Sequence, residues 1–159
     1  MLTIRSAKVE DVPGLFEMVR ELAEAEQSLD KVVITQADLA RDGFGPAPKF
    51  QAILASWSGE PAGYAIFFDC YSSWRGPQIF LEDLYVRPAF RKKGIATSLM
   101  ARVAKVATER NCRAVRWEVL EWNQPAVNLY ASLGAVLLND YRIALLKGDA
   151  LRDLAARIG

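Results

Sequence analysis

The sequence of 159 residues contains no histidine. Ser-His-Asp and Cys-His nucleophilic sites and the HExxH zinc site all require an imidazole, so the sequence excludes these three kinds of catalytic site. Acid–base chemistry in this chain must therefore use carboxylates, tyrosine, lysine or ordered water. We also expect no metal cofactor.

Cysteine is nearly as scarce, with Cys70 and Cys112 as the only two. They form no CxxC pair, and two thiols in an otherwise ordinary composition predict reduced core residues without a disulfide framework. Cys112 lies beyond the predicted long helix, so we do not expect a ping-pong mechanism through a thiol nucleophile.

The chain also lacks excess charge and long apolar runs. Its 20 Lys and Arg residues face 19 Asp and Glu residues, and a formal net charge of +1 provides no overall field for nucleic acid or an anionic membrane. Charges interrupt every apolar run well before the roughly 18 residues that span a bilayer, and the N-terminus has no signal-peptide pattern. We therefore predict a cytoplasmic protein that binds a small molecule, with no nucleic-acid or membrane partner.

The apolar pattern predicts a single α/β domain over residues 1–159, because hydrophobic residues make up 52% of the chain and no linker interrupts it. The predicted order β-α-α-β-β-β-α-β-α-β-β indicates a mixed sheet with helices on its faces. The first helix is predicted to begin near Pro13, and the others to cover residues 35–41, 95–110 and 125–133. The predicted strands cover residues 2–5, 50–57, 62–70, 78–86, 114–122, 135–138 and 141–147.

The most informative segment is residues 81–96, where a predicted strand ends at Pro88 and a basic turn leads into the longest helix. A helix start presents unpaired N–H groups and a positive dipole end, and Gly94 lets a phosphate approach the backbone closely. A solvated turn is the alternative, and composition alone favours it. Neither GxxxxGK[ST] nor GxGxxG is present, which leaves a different kind of pyrophosphate binder as the candidate.

The run Arg91-Lys92-Lys93-Gly94-Ile95-Ala96 resembles the R/Q-x-x-G-x-G/A acetyl-CoA signature of the GCN5-related N-acetyltransferases, the GNAT superfamily. Further segments are similar, in the same order, to its diamine branch, the spermidine/spermine and thialysine acetyltransferases. These segments are residues 21–23, Glu26, and residues 42–45, 81–83, 121–125, 128–130 and 134. The resemblance implies the α/β GNAT fold, a mixed and mostly antiparallel sheet of about seven strands flanked by helices on both faces.

The resemblance also implies where the cosubstrate acetyl-CoA binds. The backbone of Leu84, Tyr85 and Val86 would pair with the pantetheine arm like an added strand, which requires an open strand edge. Further along the chain, Asn123 and Asn128 would hold the coenzyme arm, and Tyr130 would face the thioester sulfur. The pyrophosphate would lie on the backbone of Arg91, Lys92, Lys93, Gly94, Ile95, Ala96 and Thr97.

The same resemblance implies that Glu82 and Glu26 face the incoming amine, with Asp83 and Trp74 as further candidate substrate-binding residues. Because successive side chains of a strand alternate, Asp83 is predicted to lie on the opposite face of its strand from Glu82. The alternative for Glu82 is a solvent-facing or ion-paired carboxylate, and the alternative for Glu26 is a solvated helix end.

The predicted mechanism is direct attack of the amine on the thioester. An alkyl amine has a pKa of about 10.4, so forming the neutral nucleophile at pH 7 costs roughly 4.6 kcal/mol. Glu82 is the predicted proton acceptor, directly or through water, and Tyr130 is the predicted acid for the departing thiolate. The alternative for Tyr130 is a packed core tyrosine.

Two segments depart from the diamine branch. Ser72-Ser73-Trp74 replaces an Asp-Pro-Trp segment, and residues 139–142 replace a Glu-Gly-Trp-Arg type of segment. Loss of carboxylates there would weaken a long polyamine most, so a diamine, thialysine or another amino-acid side chain is at least as well supported as spermidine.

Two other functions remain open, a protein or peptide N-terminal acetyltransferase and a non-catalytic acyl-CoA-binding regulatory module. The resemblance also implies a homodimer, to which the apolar C-terminal strand and a helix over residues 149–158 are predicted to contribute.

Overall fold

A computed structural model describes residues 1–158 of the chain. The chain divides into two compact units, Met1–Glu118 and Val119–Gly159. The first unit holds all the strands found in the described residues, together with the long helix that follows the basic turn. The second unit holds the two C-terminal helices.

The first unit is built on a five-stranded sheet whose strands lie in chain order. The strands are β1 (Leu2–Ser6), β2 (Gln51–Trp57), β3 (Glu60–Ser72), β4 (Gly76–Val86) and β5 (Val115–Arg116). The first four pair antiparallel, and β5 pairs parallel to β4. The structure therefore confirms the predicted hairpin and the predicted strand that ends before Pro88.

The helices begin where local sequence signals predict. They are α1 (Val12–Ala25), α2 (Gln36–Phe44) and α3 (Ile95–Glu109) in the first unit, and α4 (Gln124–Ser132) and α5 (Gly148–Ala155) in the second. At the start of α2, the Asp38 amide donates to Thr35 Oγ1 and the Thr35 amide donates to the Asp38 carboxylate, which is a capping box. No helix within residues 1–158 combines the length and the hydropathy that crossing a bilayer requires.

Each face of the sheet carries its own hydrophobic core. Along β2, Ile53 and Ala55 belong to the core that contains α3, whereas Ala52 and Leu54 belong to the core that contains α1 and α2. This alternation follows from the two-residue period of a strand, and it confirms that helices flank both faces. The α3 core includes Phe67, Ile79, Leu81, Ile95, Leu99 and Val103, and the opposite core includes Val12, Leu15, Met18, Leu39, Tyr64 and Ile66.

An ion-pair network fixes the end of β4 against α1. Arg87 directly follows β4, and its Nη2 atom lies 2.7 Å from Glu21 Oε1 and 2.9 Å from Glu17 Oε2. Its Nη1 atom also donates to the Pro61 carbonyl oxygen at 3.2 Å. Charge-assisted hydrogen bonds of a partly buried guanidinium are stronger than those of an exposed pair, so this network holds the strand in register just before the basic turn.

A β-bulge interrupts β4 at Glu82. On β3, Ile66 pairs with Asp83 and Phe67 pairs with Leu81, so Glu82 is an extra residue without a pairing partner. A bulge interrupts the regular alternation of side chains and increases the local twist of its strand. On its other edge, β4 pairs with β5 only at Ile79 and Phe80, before the bulge.

The sheet has five strands where about seven were predicted. Residues 135–138 and 141–147 have no regular secondary structure, and the strand predicted over residues 114–122 is reduced to β5. A strand forms only where its N–H and C=O groups meet a neighbouring strand, which an apolar sequence does not supply by itself. The helix predicted over residues 149–158 is present as α5, followed by a 3₁₀ turn at Ala156–Ile158.

Candidate active site

The edge of β4 is open beyond the bulge. Since β5 pairs only with Ile79 and Phe80, no strand within residues 1–158 lies beside residues 81–86 on that side. The Val86 carbonyl oxygen accepts a hydrogen bond from Arg91 Nε at 3.2 Å. The three residues predicted to pair with the pantetheine arm, 84–86, therefore lie on an open edge, and an arginine of the predicted signature already contacts the last of them.

The start of α3 has the form of an anion-binding site. Gly94 adopts a left-handed conformation with φ of 74°, and no side chain caps the helix. The first intrahelical hydrogen bond runs from the Ser98 amide to the Gly94 carbonyl oxygen at 3.0 Å, so the amides of residues 95–97 have no partner within the helix. Lys93, one of the residues predicted to bind the coenzyme, has its Nζ atom 4.9 Å from the centre of the Trp57 ring. The side chain therefore makes a cation–π contact with this indole.

A cavity of about 460 Å³ opens in the first unit and contains the predicted acceptor carboxylates. Glu26, Glu82 and Asp83 all line it. Ser28 and Lys31 supply the other polar lining groups. The remaining wall is apolar and consists of Val19, Leu22, Ala23, Val32, Val33, Ile34, Leu39, Phe50 and Ile66.

The structure corrects one prediction about these carboxylates. Asp83 was predicted on the opposite face of the strand from Glu82, but both residues line the same cavity. The reason is the β-bulge at Glu82, which breaks the two-residue alternation on which the prediction depended. The bulge therefore brings two consecutive carboxylates to one cavity.

The cavity disfavours the charged forms of all three carboxylates. Loss of hydration raises the pKa of Glu26, and the same effect, with repulsion from Glu118, raises the pKa of Glu82. Burial raises the pKa of Asp83 to about 6, with smaller contributions from the charges of Glu82 and Glu26. Raised carboxyl pKa values in a cleft make this cavity a candidate functional site, because a bound cation would relieve the same unfavourable charge.

Tyr64 belongs to this cluster although the sequence analysis did not identify it. Its hydroxyl group donates a hydrogen bond to Asp83 Oδ2 at 3.0 Å, and its side chain is completely buried. Burial and the Asp83 charge raise the pKa of Tyr64 well above 10, so the hydroxyl group remains a donor. In the sequence, Tyr64 is one of several aromatic residues in a strand. Its role depends on Asp83 of the neighbouring strand, and the sequence alone does not show that these two residues are close.

The remaining predicted residues lie elsewhere. Trp74 lies in the β3–β4 turn, is 86% exposed and does not line the cavity. In the second unit, Asn123 caps α4 by accepting from the Ala126 amide at 3.3 Å, and Asn128 Oδ1 accepts from Gln124 Nε2 at 2.7 Å. Tyr130 is buried on α4. The coenzyme and acid roles of these second-unit residues stay predictions.

An open strand edge that leads into a helix start with unpaired amides, on a mixed sheet, is the arrangement expected of a protein that binds an extended coenzyme with a pyrophosphate group. The model of the Acetyltransferase (GNAT) family matches residues 15–135, and the chain belongs to this family. It is an acetyl-CoA-dependent N-acetyltransferase, which confirms the enzyme class that the resemblance implied.

Two relatives are similar to the chain and carry names of the diamine branch of the family. It is 38% identical over 165 residues to thialysine N-epsilon-acetyltransferase of Bos taurus, with 97% of each chain covered. It is 35% identical over 143 residues to spermidine/spermine N(1)-acetyltransferase-like protein 1 of Homo sapiens, a match that covers 86% of this chain and 21% of the human protein.

Solved structures confirm the fold. An integron cassette protein from the mobile metagenome of V. cholerae matches with a TM-score of 0.80 at 24% identity, covering 97% of both chains. An aminoglycoside N-acetyltransferase solved in complex with CoA matches with a TM-score of 0.72 at 21% identity, covering 93% of this chain and 95% of the other.

Replacing Asp83 with asparagine should stabilise the protein at neutral pH. The folded-state pKa of Asp83 is about 6 against an ordinary value of 3.8, so keeping this group charged at pH 7 reduces the free energy of unfolding. We expect Asp83→Asn to raise that free energy by about 1–3 kcal/mol at pH 7. The gain should disappear as pH falls from about 6 toward 4, where the native carboxyl group is protonated.

Denaturant unfolding at pH 7 and pH 4 measures both values. The exposed Asp140→Asn is the matched control and should change neither. Equal or lower stability of Asp83→Asn at pH 7 would contradict a desolvated carboxylate at this position.

Proposed function

We propose that the acidic cavity holds the acetyl acceptor, and that the acceptor is a short molecule with a primary amine, such as thialysine, a related amino acid or a diamine. The observation that carries the proposal is the grouping of Glu26, Glu82 and Asp83 in one cavity with largely apolar walls. A protonated amine would offset the unfavourable charge of these carboxylates, while a methylene or thioether chain would contact the walls. The volume of about 460 Å³ suits a small acceptor.

The relatives support this acceptor class. The Bos taurus relative is named for thialysine, and it matches this chain over nearly its full length. The human relative, named for spermidine and spermine, matches with lower identity. Together with the departures at residues 72–74 and 139–142, this ranking favours a short acceptor over a long polyamine.

The proposed position of acetyl-CoA follows from the open edge of β4 and the start of α3. Residues 84–86 would bind the pantetheine arm through backbone groups that no strand occupies. The amides of residues 95–97 would bind the pyrophosphate, with Arg91 and Lys92 beside them. A phosphate group can approach the backbone at Gly94, because nothing lies within 4 Å of the point where a Cβ atom would stand. When bound, acetyl-CoA supplies the acetyl thioester.

Glu82 is the proposed proton acceptor. Its pKa is raised by burial, which brings the carboxylate closer to the basicity that deprotonating an ammonium group requires. Glu82 removes one proton from the ammonium nitrogen, so that the neutral nitrogen can attack the acetyl carbon. As the N–C bond forms and the C–S bond breaks, the nitrogen gives up a second proton to water. Tyr130 supplies a proton to the sulfur that leaves, and Asn123 and Asn128 hold the coenzyme arm; these three roles rest on the resemblance.

A peptide acceptor is less well supported. An N-terminal peptide binds by pairing its backbone in an extended groove, and its α-amine carries a single charge. The three carboxylates of the cavity suit a small cationic molecule better. A cytoplasmic location and the absence of a nucleic-acid partner stay predictions from the sequence.

We also propose a homodimer formed through the second unit. Its residues 135–147 have no strand partner within residues 119–158, and large apolar side chains such as Val136, Ile143 and Leu145 are 71–81% exposed. Exposed apolar segments of this size mark interaction surfaces, and a second copy provides a self-complementary partner.

Sedimentation equilibrium tests the dimer. We expect twice the chain mass of 17.7 kDa at micromolar concentration, and a shift toward one chain mass in an Ile143→Asp, Leu145→Asp variant, because charges would be buried at the interface. A single-chain mass for the native protein would contradict the dimer. The exposed Lys49→Asp variant, in the first unit, is the control and should stay dimeric.

A turnover screen tests the proposed acceptor. With acetyl-CoA at saturation, kcat/KM should be highest for thialysine, lysine-like amino acids or short diamines, lower for spermine, and lowest for N-terminal peptides. Glu82→Gln should lower kcat/KM by about 10²-fold or more and leave CoA affinity unchanged, because it removes the proton acceptor only. The exposed Glu60→Gln is the matched control. A peptide as best substrate, or full activity of Glu82→Gln, would overturn the proposal.

Tyr130→Phe tests the proposed acid. The variant removes one hydroxyl group and keeps the ring, so turnover should fall by about 10²-fold or more while the Kd for CoA stays within twofold. Calorimetry and steady-state kinetics measure the two quantities, with the exposed Tyr71→Phe as the control. Unchanged turnover would assign Tyr130 to packing alone.

A further inference from the structure

We infer that Tyr64 is a positioning residue for the acceptor: it fixes one oxygen of Asp83 so that the other oxygen can bind the ammonium group of the acceptor. This inference rests on the proposed acceptor site. It assigns a role to a buried tyrosine that does not itself line the cavity.

The core fixes the Tyr64 hydroxyl group in place. Tyr64 is on β3 opposite Tyr85 of β4, with the two ring centres 6.1 Å apart, and it belongs to the core that α1 and α2 cover. A side chain this buried is confined to one rotamer by its neighbours. The donor therefore occupies a constant position relative to the strand that carries Asp83.

The hydrogen bond leaves half of the carboxylate available. Tyr64 donates to Asp83 Oδ2 at 3.0 Å, and this is the one hydrogen bond that residues 1–158 show for the Asp83 carboxylate. Asp83 also lines the acidic cavity. Its second oxygen, Oδ1, can therefore accept a hydrogen bond from an ammonium group without loss of the contact to Tyr64.

The surrounding charges explain why this donor matters. Glu82 on β4 and Glu26 at the end of α1 both repel the Asp83 charge, and burial opposes it further. Lys31, which follows α1 in the chain, is the only cationic side chain that lines the cavity. The hydrogen bond from Tyr64 lowers the pKa of Asp83, so it favours the charged form against burial and the charges of Glu82 and Glu26.

Tyr64→Phe removes this donor and keeps the packed ring. Without it the carboxyl group of Asp83 should lose its proton at higher pH, so the acidic limb of the pH profile of kcat/KM should shift upward. We expect a shift of about one pH unit with 1,4-diaminobutane or thialysine as acceptor, equal to a tenfold change in the ionisation constant. At pH 8.5, where Asp83 is charged in both proteins, kcat should approach the native value.

The control for this experiment is Tyr71→Phe, which removes a hydroxyl group that is exposed on β3 and should leave the profile unchanged. A purely structural role of Tyr64 would lower activity at all pH values without moving the limb. That result, with thermal unfolding confirming a folded variant, would overturn the inference.

Measurements in the Asp83→Asn background separate the positioning role of Tyr64 from the proposed acceptor site. In that background, Glu82 is the carboxyl group left to set the acidic limb of the profile. Tyr64→Phe should not shift this limb further, because Tyr64 and Asp83 act as a pair. A shift of equal size in both backgrounds would overturn the role of Tyr64. If Asp83→Asn alone leaves the KM of the acceptor unchanged, the proposed acceptor site fails and the inference fails with it. If Asp83→Asn raises KM but Tyr64→Phe does not move the limb, only the inference about Tyr64 is wrong.

Discussion

The β-bulge at Glu82 is the constraint on which the rest of the site depends. One extra residue in β4 interrupts the pairing with β3, which resumes at Asp83, just beyond the point where β4 has lost β5 as a neighbour. Beyond it the strand has an open edge, and at the bulge two consecutive carboxylates line the same cavity. The bulge thus creates the acidic surface proposed for the amine, and it lies next to the edge proposed for the coenzyme, which is open because β5 ends its pairing at Phe80.

This arrangement is unfavourable for stability and favourable for binding. Three carboxylates with raised pKa values line one cavity. Their charged forms have a higher free energy there than in water. The fold retains them through the two cores that cover the sheet and through the network of Arg87 with Glu17 and Glu21. Active sites are commonly less stable than they could be, because the groups that stabilise a ligand are left without partners in the free protein.

The sequence predicted the elements whose signals are local. Pro88 marked the end of a strand, Gly94 marked the start of α3, and the capping box of Thr35 and Asp38 marked α2. The resemblance added Glu26 and Glu82, which lie in one cavity. These features depend on residues close together in the chain, where propensity and motif are informative.

The features that the sequence did not predict depend on pairing between distant segments. Alternation placed Asp83 on the wrong face because a bulge is defined by the register of β3 against β4. Tyr64 was missed because its role depends on a hydrogen bond across that ladder. The two C-terminal strands were predicted from apolar residues, but a strand also needs a neighbour, and residues 135–147 have none within the second unit as far as residue 158.

The most direct test of the central claim is amide hydrogen exchange with and without CoA. We predict that saturating CoA slows exchange most at the amides of residues 84–86 and 95–97, because the open edge of β4 and the start of α3 receive the coenzyme. Binding of CoA that leaves these amides unprotected, or no binding at millimolar concentration, would contradict the account.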